Sequence, residues 1–256
     1  MTKQEWLACT DPTPLMQPIR LRANHRKLWL FAVACCRRIW HLFTDQRVRD
    51  VVELAESRAD GMVDEAWLRK AWQTLSHEHW LRERWREVMG SPQPSLQGYF
   101  VVQELVTTTG YPSPYRIVER IQELVLHATN DTGAARRAPG GEEVQAARAA
   151  WSAAVRERDS VQQAQSDLIR CIFGNPFHPV SLNPAWQTPT VVALATAAYD
   201  EQILPQGHLD PQRLAVLANA LEDAGCAEDR ILSHLRGPGP HVRGCWLLDL
   251  LLSKDR

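Results

Sequence analysis

The chain has 256 residues, 45% of them hydrophobic and 23% charged, with a formal net charge of −1 at pH 7. This composition excludes global disorder and leaves room for a sizeable core in one large domain or two small ones. The near-neutral charge argues against a protein that coats nucleic acid or lies on an anionic membrane.

In chain order, Thr2-Lys3-Gln4-Glu5 has the form of a capping box and starts a short helix. The first ten residues carry Glu5 and no apolar h-region, unlike a secretory signal. Asp11-Pro12 and Pro14 break the helix and start another short turn. Asn24 caps a helix to about Phe43, in which Leu28–Cys36 is apolar on every side. A helix hydrophobic all round belongs at the centre of a bundle. That apolar run is far shorter than the ~20 residues that span a bilayer. Around it, Arg20, Arg22, Arg26, Lys27, Arg37, Arg38, Arg47 and Arg49 stand against only Asp45 and Asp50. This 20–49 stretch is a candidate nucleic-acid surface. The simpler reading, which we favour, is long side chains that flank a buried helix and pair with acidic neighbours such as Glu53 and Glu56.

Residues 44–59 read as the next helix, with Gly61 as its stop. Asp64 caps another to about Met89 that carries Trp67, Trp72, Trp80 and Trp85. If these rings share a groove, they form a partner surface. His77 and His79 are two apart and diverge on a helix, which makes them poor co-ligands. Helices are expected at 96–108 and 114–127. Residues 130–141 (NDTGAARRAPGG) form a linker or loop that can divide a single 1–256 domain into 1–129 and 142–256. No phosphate-binding pattern accompanies it.

Residues 142–173 form a long helix whose apolar stripe is interrupted at Arg158 and Gln165, against a two-chain zipper. The Phe-, Pro- and Trp-rich segment 174–188 is an ordered irregular loop tucked onto the core by Phe173, Phe177 and Trp186. Thr188-Pro189 opens a helix with Val192, Ala195 and Tyr199 inward. Asp210-Pro211 opens another, with Leu214, Leu217, Ala218 and Leu221 inward and Gly225 as its stop. A short helix over about 228–235 follows. The loop Gly237-Pro238-Gly239-Pro240 and a last helix over 241–252 complete an all-α, multi-helix bundle around the central 24–43 helix.

Four potential metal ligands fall in this last part: Cys226, His234, His241 and Cys245, spaced C-x7-H-x6-H-x3-C. Two thiolates and two imidazoles suit tetrahedral zinc. The H-x3-C pair fits one face of a helical turn. The C-x2-C knuckle of common zinc modules is missing, and the plainer alternative is two core cysteines with a capping and a loop histidine. A catalytic zinc would need a base, for which Glu222 and Asp223 are the near candidates.

The phrases FGNPF (173–177), NPAWQTPTVVALA (183–195), NALEDAGC (219–226) and GPGPHVRGCW (237–246) resemble a family of uncharacterised proteins common in planctomycete bacteria. RKLWLFAVACCRRIWHL (26–42) is similar to the opening of those proteins. Members typically carry Arg at the position of His178 and often Cys at that of Leu235. The resemblance implies a shared fold and brings no activity or catalytic residue with it.

Six cysteines at irregular positions do not make a secreted disulfide framework, so a cytoplasmic location with reduced thiols is expected. No G-x-S-x-G or H-E-x-x-H motif is present. Together with ten tryptophans, this favours a helical interaction or regulatory module with a protein partner over an enzyme. A zinc-binding protein and a nucleic-acid binder are the alternatives.

Overall fold

The computed structural model describes residues 1–19, 23–43, 45–77, 103, 116, 118–123 and 141–254. Of the expected helix at 96–108 only Gln103 is described; the side chain of His77, the extension to Met89 with His79, Trp80 and Trp85, and residues 130–140 of the linker lie outside the described residues.

Local chemistry starts most helices where expected. The Thr2–Glu5 capping box is formed in full at α1 (Lys3–Ala8). The second start is more than a turn, since α2 (Pro12–Ile19) is a helix with Leu15, Met16 and Ile19 buried. Asn24 accepts a hydrogen bond from the Lys27 amide and caps α3 (His25–Arg38). Every residue from Trp29 to Arg37 in α3 is buried, as a central helix requires. It stops earlier than expected, and Trp40–Leu42 is a 3-10 turn. Asp45 caps α4 (Gln46–Ala59), and α5 (Glu65–His77) follows Asp64.

The long helix is α6 (Gly141–Phe173), packed against α2 and α3. Gln165 interrupts its stripe and is nevertheless buried, because its side chain bonds to Gln122 and to the Val118 carbonyl of the helical stretch 118–123. The irregular segment that follows is ordered by turns and the 3-10 helix Pro184–Trp186. Its Phe173 and Trp186 are partly buried against the core, whereas Phe177 stays exposed and meets the edge of Trp6. In α7 (Pro189–Asp200) the inward residue of the first turn is Val191, with Val192 half-buried.

No strand is expected from the sequence, yet β1 (Gln202–Ile203) and β2 (His208–Leu209) pair antiparallel. Two-residue strands have no periodicity to read. The hairpin is held from outside: Arg37 of α3 donates to the Pro205 carbonyl and pairs with buried Glu56 of α4, which also accepts from Gln202. Leu209 donates in turn to the His241 carbonyl at 2.8 Å. The C-terminal part comprises α8 (Pro211–Asp223), α9 (Asp229–Arg236) and α10 (Trp246–Leu251). Within α10, Leu247, Leu248, Asp249 and Leu251 are buried, while Trp246 and Leu250 are half-buried. The described residues thus form an all-α fold with one small hairpin, and no helix among them is long and apolar enough to cross a membrane.

The described part of the basic stretch turns much of its charge inward. Arg26 of α3 pairs with Asp60, after α4, and with Asp249 of α10, and also donates to the Tyr199 hydroxyl of α7. Tyr199 donates to Asp60, and burial pushes its phenol well up, so it stays a donor. Lys27 sits 3.8 Å from Asp249 and donates to the Ile172 carbonyl at the end of α6. Arg47 pairs with Asp45, while Arg37 and Arg49 stack over Trp40. One polar hub therefore joins α3, α4, α7 and α10.

Candidate metal centre

The turn between α9 and α10 is where the sequence expected a helix from His241. Instead His241 to Cys245 is a turn closed by the Cys245 amide on the Val242 carbonyl. Two glycines make it. Gly239 has φ +78°, and a Cβ there would lie 2.8 Å from the His241 amide nitrogen. Gly244 has φ +84°, and a Cβ there would lie 2.9 Å from Leu30 Cδ1, so only glycine lets the turn settle on α3. Cys245 then falls at the N-terminus of α10, and the Asp249 amide donates back to its carbonyl.

Three of the four expected ligands, His234, His241 and Cys245, come together. The fourth is Cys171, in the last turn of α6, and not Cys226. The donor atoms of Cys171, His234, His241 and Cys245 all lie within 4.8 Å of one another. Bonds of about 2.0–2.3 Å place the donors of a tetrahedral zinc roughly 3.3–3.8 Å apart. The distance from His234 Nε2 to Cys245 Sγ is 3.2 Å, and that from Cys171 Sγ to His241 Nδ1 is 4.0 Å. Closure around an ion needs only side-chain adjustments of less than an ångström or so.

Cys226 has another task. The Cys226 amide donates to the Leu221 carbonyl, and the Gly225 amide to that of Glu222. With Gly225 at φ +85° this is a Schellman motif ending α8, and its position calls for an apolar residue that packs back on the helix. Cys226 is buried for that reason. The suggested bases also stand apart. No carboxylate belongs to the four-residue group, and Glu222 forms an ion pair with Arg236 on the surface.

Surrounding groups fix the orientation of the ligands. His241 Nε2 meets the Gly237 carbonyl at 3.3 Å, which sets the tautomer and leaves Nδ1 for coordination. The His234 and His241 rings meet edge to face at 4.8 Å between centroids, and Trp246 lies 5.2 Å from His234. Cys171, His241 and Cys245 are buried and His234 is half-buried. Burial opposes ionisation of Cys245, but hydrogen bonding from Cys171, the charge of His234 and hydrogen bonds from His234 and His241 outweigh it and hold the thiol well below its ordinary range. The Cys171 thiol is pushed up by its hydrogen bond to Cys245 and by burial, against the Val242 amide and the charge of Lys27. Cys171 thus keeps its proton and Cys245 gives its own up, and a divalent cation would displace the one that remains. Cys35 and Cys36, by contrast, are simple core thiols kept neutral by burial.

Cys171 was not legible because it lies 70 residues before His241. Its only local signal is its place between Leu168, Ile169 and Ile172 at the buried end of a long helix. No family model matches this chain, and no curated protein or solved structure is significantly similar to it.

Proposed function

We propose that this chain is a helical module stapled by one structural zinc ion, held by Cys171, His234, His241 and Cys245. The observation that carries the reading is the convergence of two thiols and two imidazoles from three separate segments into one buried group. Two thiolates cancel the charge of a divalent cation, so the bound site buries no net charge. Four protein donors leave no open position and no carboxylate stands among them, which favours a structural ion over a catalytic one. The staple joins the end of α6 to α9, to the following turn and to the start of α10. The activity of such a module is binding rather than turnover.

The test is metal content by mass spectrometry on protein purified without chelator or affinity metal. The parent and a Cys226→Ser variant are expected to carry about one zinc per chain, and Cys171→Ser and Cys245→Ser to carry none. A metal-free parent, or a Cys171→Ser variant that keeps its zinc while Cys226→Ser loses it, would sink the proposal.

A further inference from the structure

Beside the metal centre lies a cleft of about 710 Å³, bounded by α1, the ends of α2 and α6, residues 174–180, α9 and α10. That volume is in the range of small-molecule sites, roughly 300–1,000 Å³. Its wall combines aromatic surface, from Trp6, Phe173 and Trp246, with cations only: Lys3, Lys27, Arg170 and Arg230. No Asp or Glu lines it among the described residues. The carboxylates that pair with three of these cations, Asp249, Asp167 and Glu228, all stand off the wall. Lys3 is exposed and has no ion-pair partner among the described residues.

We propose that this cleft binds a small aromatic carboxylate. Phe173 and Trp246, both half-buried, supply stacking and edge contacts for a planar body, with Trp6 packed behind them. The cationic wall supplies donors for the carboxylate, Lys3 foremost among them. A monoanion matches the site better than a dianion, because three of the four cations are already paired and only Lys3 stands uncompensated. The inference goes beyond the zinc reading and does not depend on it. His234 touches both sites, but its Nε2 faces Cys245, and none of the donors used here is a metal ligand.

The experiment is calorimetric titration of the full chain, its metal content measured beforehand, with 1-naphthylacetate and with the neutral 1-naphthylacetamide. The carboxylate is expected to saturate a single site and to bind about tenfold more tightly than the amide, the worth of one charge-assisted hydrogen bond. Lys3→Glu should weaken the carboxylate by roughly fivefold and leave the amide unchanged. Ser233→Trp, at an exposed wall position, should abolish both without changing the melting temperature. No saturable binding of the carboxylate in the millimolar range, equal affinity for the two compounds, or binding that survives Ser233→Trp would overturn the proposal.

Discussion

Asp249 is fully buried in α10 and accepts from the Arg26 guanidinium at 2.7 Å, with the Lys27 ammonium 3.8 Å away. Removing one partner of a buried pair costs about 3–5 kcal/mol, because the other charge is left without compensation. Arg26 would not be fully orphaned by Asp249→Ala, since Asp60 at 2.8 Å and Tyr199 still accept from or lie against it. The expected loss is therefore near the lower end, about 3 kcal/mol, a large part of a typical stability of about 5–15 kcal/mol. Asp249→Asn keeps an acceptor oxygen and should lose about 1–2 kcal/mol. Urea denaturation followed by far-ultraviolet circular dichroism reads both, with an unchanged slope marking a true stability effect. Glu222→Ala, which breaks the exposed pair with Arg236, is the control and should barely move the midpoint. An Asp249→Ala loss under about 1 kcal/mol, or one no larger than that of Glu222→Ala, would refute the hub as the anchor of α10.

Gly239→Ala should cost more than about 1 kcal/mol and reduce zinc affinity in a chelator competition, since the new Cβ meets the His241 amide; Gly61→Ala, with φ +73° and open space around it, should carry the backbone cost alone and leave zinc binding intact. Asp45→Ala should cost about 1 kcal/mol at neutral pH through the lost cap of α4. The Arg47 side chain, and then its amide, hold the Asp45 carboxyl below its usual range despite partial burial. With the folded pKa below the unfolded value of about 3.9, the stabilisation is complete above that pH and disappears as pH falls through the folded value. The gap between parent and variant in thermal melts should therefore narrow below about pH 4, and a gap that stays constant into strong acid would contradict the assignment.

What the sequence made legible was governed by short-range chemistry. Thr2, Asn24, Asp210 and the Thr188-Pro189 pair begin helices because each supplies an acceptor to nearby amides or a preset φ, all within one turn. The all-round apolarity of α3 likewise placed it at the centre. The misreadings are non-local. The 202–209 hairpin exists because Arg37, Glu56 and His241 hold it, and none of these adjoins it in sequence. At 241–245 the apolar residues that follow continue a helical pattern and predict helix, while Gly244 obeys a packing demand set by Leu30 of α3. The centre divides the same way. Closeness in sequence groups His234, His241 and Cys245, but it also draws in Cys226, which the Schellman motif explains, and passes over Cys171, which only the packing of α6 delivers.

The account turns on the ion and its four donors, and zinc K-edge X-ray absorption on the purified full-length chain addresses both at once. It predicts two sulfur scatterers at about 2.3 Å and two nitrogens at about 2.0–2.1 Å, with one sulfur lost in Cys171→Ser if any zinc is retained there. A shell of oxygens, or a two-sulfur shell that Cys171→Ser leaves unchanged, would contradict it.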